Sequence, residues 1–221
     1  MNKCGKWRGA SFTAGVVTLF LSMSPTALAQ SLGPAVCGPL ENTFGPYDYR
    51  TNKDKLPIVE RFHFTPDVEN LRKGASTNRI GGDISYTLRA FPNHTRALLA
   101  MSRLAQREKT NSPKGSTYSV DCWFERALRF RPDDAEVRMT NGIYLAQTGR
   151  KAEAAKMLEG AAKLGESGAN FHYNMGLVYA DLGRYDEALA HAHKAYALGF
   201  ALPGLKNKLQ RAGKWRDAPA S

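Results

Sequence analysis

Residues Phe171–Gly199 read FHYNMGLVYADLGRYDEALAHAHKAYALG, and Val137–Gly165 read VRMTNGIYLAQTGRKAEAAKMLEGAAKLG, the same pattern displaced by 34 residues. Over the two 34-residue windows ten columns are identical: Ala135/Ala169, Gly142/Gly176, Ala146/Ala180, Gly149/Gly183, Arg150/Arg184, Glu153/Glu187, Ala154/Ala188, Ala161/Ala195, Leu164/Leu198 and Gly165/Gly199. Each window reads as two short helices joined at a glycine turn. Gly149 and Gly183 stop the first helix in a left-handed conformation that costs glycine little. Glu153, Asp186 and Glu187 then fall in the first turn of the second helix, where the helix dipole favours negative charge. Small residues let two antiparallel helices approach: Gly176 and Ala188 at one crossing, Gly142 and Ala154 at the other. Ala161 and Ala195 lie where the second helix meets the next pair. Leu145, Leu158, Leu164, Tyr179 and Leu198 are expected to fill the seams.

The period and the small-residue columns resemble the tetratricopeptide repeat (TPR) family. The resemblance implies an all-α fold, a solenoid of helical hairpins with about three and a half units over residues 82–202. Gly82–Pro92 resembles a second helix closing with its proline. A first helix is expected at about Thr95–Arg107 and its partner at about Ser119–Phe130. The loop between them, KTNSPKGST at Lys109–Thr117, is about seven residues longer than the family pattern. Such an insertion either carries binding or is merely tolerated. Residues 203–221 read as a capping helix and tail. Leu202, Leu205 and Leu209 cover the last repeat, and Lys206, Lys208 and Arg211 face water, because a stacked array must shield its final apolar face. The alternative for this helix is a membrane-surface element.

In the family the first helix of each repeat lines a concave groove. Matching columns place Met139, Ile143, Ala146 and Gln147 there from one repeat, and Tyr173, Asn174, Leu177, Ala180 and Asp181 from the next. That mixture suits an extended peptide or a partner helix. Some members clamp a peptide carboxylate with Asn and Lys. Asn174 matches the Asn column, but Thr140 replaces it one repeat earlier, and Leu98 and Glu136 stand in the Lys columns, so this mode does not fit.

Residues 1–29 have the form of a secretory signal: Lys3, Lys6 and Arg8, an apolar stretch at Phe12–Met23, and Ala27-Leu28-Ala29 as an A-x-A cleavage site. An uncleaved anchor is the alternative, with a core short for a bilayer. Cleavage implies a periplasmic or secreted protein with no membrane span. Three of the 31 Lys and Arg and none of the 20 Asp and Glu lie in residues 1–29, which leaves +8 for the remainder. That charge admits an anionic partner such as an envelope polymer, or serves solubility alone. Cys4 departs with the signal. Cys37 and Cys122 remain as a pair suited to a disulfide in an oxidising compartment, or as separate thiols.

Residues 30–81 show no repeat and read as an irregular extension. Ile58–Phe64 reads as a short strand or an extended strip, and a helix is expected from Pro66 to about Lys73, capped by Thr65. His63, between two Phe residues, reads as a structural histidine. No nucleophile, metal or phosphate-binding motif is present, so an enzyme, a cofactor and a metal are not expected. His191 and His193 face different sides of one helix and cannot chelate one ion. No nucleic-acid motif is present either. Two readings remain: a scaffold whose groove holds an envelope protein or peptide, and a binder of anionic envelope polymer.

Overall fold

The computed structural model describes residues 37–165 and 168–218; the stretch read as a signal, residues 1–29, lies outside them. Ten helices and no strand occur among the described residues: α1 Leu56–His63, α2 Pro66–Glu69, α3 Ile80–Ala90, α4 Thr95–Glu108, α5 Val120–Phe130, α6 Ala135–Gln147, α7 Lys151–Leu164, α8 Ala169–Asp181, α9 Tyr185–Ala197 and α10 Gly204–Arg211. They form two layers. In one, α2, α4, α6, α8 and α10 follow side by side; in the other lie α3, α5, α7 and α9, each paired with a neighbour from the first layer. The fold is all-α.

Capping explains where the helices begin. Thr65 Oγ1 accepts from the Val68 amide at 3.4 Å, Ser119 Oγ from Cys122 at 3.3 Å, and an Asp134 carboxylate oxygen from Val137 at 3.1 Å. His94 does the same through Nδ1, which accepts from the Ala97 amide at 3.2 Å. That fixes the proton on Nε2, which faces Glu60 at 3.2 Å.

The repeat glycines divide into two kinds. Gly149 and Gly183 have φ of +82° and +78° with open space where a Cβ would stand, so conformation alone requires glycine there. Gly142 and Gly176 are crowded instead. A Cβ on Gly142 would lie 2.8 Å from Leu158, and one on Gly176 would lie 2.4 Å from Leu205.

Four sequence expectations change. Ile58–Phe64 is not a strand: Leu56–His63 is helical, with Pro57 in the first turn, where its fixed φ suits a helix. The following helix stops at Glu69 rather than Lys73, and Leu71 turns to φ +58°. Leu164 and Leu198 do not fill the seams; they are 43% and 53% exposed, because each is the last side chain before a left-handed glycine. Leu202 is 61% exposed, so Leu205 and Leu209, both fully buried, cover the last repeat without it.

The chain before α3 packs on α3, α4 and α5. A disulfide joins Cys37 to Cys122 with Cα atoms 5.1 Å apart. Beside it, buried Arg126 donates through Nη1 to the carbonyls of Cys37, Gly38 and Pro39 at 2.9, 3.2 and 2.5 Å, and its guanidinium lies over Tyr118 and Trp123. Asp48 receives Arg50, Arg131 and Asn93. Burial raises its pKa, but hydrogen bonds from Arg50 and Asn93 outweigh this and bring it to about 2. His63 Nδ1 meets the buried carboxylate of Asp83 at 3.0 Å, which also accepts from the amides of Ala75 and Thr77. His63 thus helps pin the segment ahead of α3.

Sequence alone could not bring His172 near His191. In the structure their Nδ1 atoms are 3.0 Å apart across the α8–α9 seam, so one ring donates to the other. Burial pushes His191 down to about 4, helped by the neighbouring His172 and Lys194, against Glu187. His172 is lowered by burial and Lys194. Both rings are therefore neutral in the folded chain where an unfolded histidine, near 6.5, begins to protonate. The unfolded chain binds more protons there, so stability is complete above about pH 6.5 and falls as pH drops toward 4. We expect melting temperature to fall over this window, and His191→Gln to flatten the fall. An unchanged slope in that variant would assign the pH dependence to other groups.

Candidate protein interaction groove

Helical spacing of four residues aligns Leu98, Ser102 and Gln106 on α4, Met139, Ile143 and Gln147 on α6, and Tyr173, Leu177 and Asp181 on α8. The three helices lie side by side, so these rows form one face. Its floor is dry: Leu98, Ser102 and Met139 are buried, and Ile143 and Leu177 are half-buried. Its rim is polar, with Gln106, Gln147 and Asp181 exposed and Asn174 half-buried. Gln106 Nε2 donates to Gln147 Oε1 at 2.6 Å and ties α4 to α6. No residue of this face offers a nucleophile–base pair, and among the described residues no group of three or more His, Cys, Asp or Glu could hold a metal ion.

The structure places the seven sequence-derived groove residues on this face but gives them unequal freedom. Met139 packs in the core and has no free surface to offer. Tyr173 stacks on Phe200 with ring centroids 4.0 Å apart, and its hydroxyl sits 2.5 Å from where a Cβ on Gly204 would be. Leu177 packs with the same cluster, which includes Leu205 and Leu209. Asp181 forms an ion pair with Lys208 of α10. The last helix therefore covers the α8 end of the face, and α2 and Leu71 pack beside α4 at the other end. Ile143, Gln147 and Asn174 are left as the more accessible members.

Sequence reasoning missed Phe200 and Lys208, which lie in the segment after the second repeat. The 34-residue offset was a usable signal: Lys208 falls one period after Asn174, in the first-helix position of a further unit.

A separate recess of about 840 Å³ is bordered by Arg72, Lys73 and Gly74, by Asn78–Gly81 at the start of α3, by Arg107 and Glu108 at the end of α4, and by Lys114. Among the described residues no helix is long and apolar enough to cross a membrane. Searches of curated proteins and of solved structures found no match to the chain. Residues 169–199, which hold α8, its glycine turn and α9, match the family model for the tetratricopeptide repeat. The chain thus carries a tetratricopeptide repeat within its all-helical array, and this module is a scaffold for protein–protein interaction.

Proposed function

We propose that the chain is an exported scaffold whose α4–α6–α8 face holds an extended peptide or helix of an envelope partner. One observation carries this reading: a shared face of α4, α6 and α8 on which half-buried Ile143 lies beside the amides Gln147 and Asn174, built on helices locked together by core packing. Half-buried Ile143 supplies the accessible apolar contact, and amides such as Gln147 and Asn174 select register by hydrogen bonding, as peptide-binding grooves require. Binding rather than catalysis follows from the same composition. Export rests on the form of residues 1–29 and is supported by the Cys37–Cys122 bridge, which belongs to an oxidising compartment.

Tyr173 and Leu177 do not make a clean test, because Phe200 and α10 pack on them. Gln147→Arg with Asn174→Arg is cleaner. The exchange gives up the exposed Gln106–Gln147 hydrogen bond, about 1 kcal/mol of stability, and should leave the fold intact. A photo-crosslinker at Ile143 should join one envelope protein in cells, and the double substitution should abolish that product. A crosslinker at Lys156, exposed on the other layer, should not form it. Equal crosslinking from both positions, or persistence in the double variant, would remove this face from consideration.

A second reading, binding of an anionic envelope polymer, is favoured by the basic border of the 840 Å³ recess. The two differ in salt response, since charge-driven binding is screened and apolar groove binding is not.

A further inference from the structure

We infer that the recess bordered by Arg72, Lys73, Arg79, Arg107 and Lys114 is a site for clustered oxyanions, the sulfate or phosphate groups of an anionic glycan. The inference deepens the polymer reading and is independent of the groove.

Five cationic side chains and one carboxylate, Glu108, border a volume of about 840 Å³. Glu108 accepts from the Lys114 amide at 2.8 Å, a neutral donor that leaves its negative charge in place, so the border carries five positive charges against one negative. Arg107 donates to the Leu71 carbonyl, a neutral acceptor that leaves its charge uncompensated, and Arg72 faces Asp67 at 3.5 Å across an exposed gap. Among the described residues Lys73, Arg79 and Lys114 have no ion-pair partner for their side chains. An excess of like charges over counter-charges raises the local concentration of anions. The first turn of α3, an 11-residue helix, also borders the recess, and no side chain caps it. Its free amides add donors of the same sign.

The recess is built, because the inserted loop is held in place. A Cβ on Gly81 would lie 2.4 Å from the Lys114 carbonyl, so the loop rests directly on α3. Ser85 Oγ accepts from the Thr117 amide at 3.1 Å, and Trp123 Nε1 donates to Ser116 Oγ at 3.0 Å. The extra residues of the α4–α5 loop therefore bring Lys114 to the border of the recess that Arg79 also lines. Five cations from four segments outnumber the charges of a single phosphate, so the ligand that matches them carries several anionic groups.

The test titrates the full chain with tripolyphosphate by calorimetry, beside Lys73→Ala/Arg79→Ala and a control, Lys156→Ala/Lys163→Ala, at exposed sites remote in sequence from the recess residues. Wild type and control should bind alike, the recess variant at least tenfold more weakly, with affinity falling as salt rises. No heat in wild type, or equal weakening in the control, would overturn the site. Lys114→Ala provides a second variant should the first melt early, with the same outcomes. Retention of dextran sulfate by both recess variants at wild-type affinity would leave the polymer reading standing and overturn the recess as its site.

Discussion

Gly176→Leu is expected to destabilise the chain by about 3 kcal/mol, the upper end for overpacking. The position meets three constraints at once. An ideal Cβ would stand 2.4 Å from Leu205 Cδ2, 3.2 Å from the Ala188 carbonyl oxygen and 3.5 Å from His191 Cβ. The carbonyl belongs to the backbone of α9 and can move only with that helix. Leu205 is fully buried, so its terminal methyl has nowhere to turn. Relief would lift α10 away from α8, uncovering Leu209 and loosening the Lys208–Asp181 pair. Thermal unfolding measures the loss. Gly176→Ala made alone and with Leu205→Ala identifies its origin: the alanine should cost less when Leu205 is already truncated. A melting temperature for Gly176→Leu equal to that of wild type would mean that the α8–α9 crossing is not packed as described.

That crossing was legible in the sequence because it is local and periodic. The small columns at Gly142, Ala154, Gly176 and Ala188 announce close helix pairs, and the left-handed glycines announce the turns between them. Leu205 was legible as a cover for the last repeat, but its approach to Gly176 was not, since the partners come from different hairpins. The failures have separate local causes. Leu164 and Leu198 sit in columns that look apolar and conserved in period, yet they end their helices and splay into solvent. Ile58–Phe64 alternates over a span too short to separate a period of 2 from one of 3.6, and Pro57 in the first turn decided the matter.

The candidate sites were legible to different degrees. The first-helix rows at Met139–Gln147 and Tyr173–Asp181 follow from period alone. How much of each side chain is already occupied does not, because Phe200 and Lys208 reach them from outside the repeat. The basic recess left no run of charge in the sequence. Its cations come one or two at a time from four segments, and only the fold gathers Arg72–Lys73, Arg79, Arg107 and Lys114. The His172–His191 contact was hidden for the same reason, since it crosses between the two helices of one hairpin.

Loss of the Cys37–Cys122 bridge is expected to be the other large effect. It closes a loop with a sequence separation of 85 residues. In the chain-entropy account, opening a loop of this length costs roughly 4–5 kcal/mol through the unfolded state. For a domain of this size that corresponds to a fall of about 10 °C or more in melting temperature. The native side loses more. With the bridge gone, only hydrogen bonds and packing hold Cys37–Pro39 to α5, and Arg126 depends on those three carbonyls for its buried guanidinium. Burial already lowers the pKa of Arg126, so a retreat of the segment would expose the charge or leave it unpaired. Cys37→Ser/Cys122→Ser and the reduced wild type should therefore melt alike, both well below the oxidised chain. Arg126→Gln should be harsher in the oxidised chain than in the double serine variant, because the bridge holds the carbonyls in place after their donor is removed. If oxidised and reduced chains melted at one temperature, the bridge would add nothing to stability, and the other contacts of the segment before α3 would hold it alone.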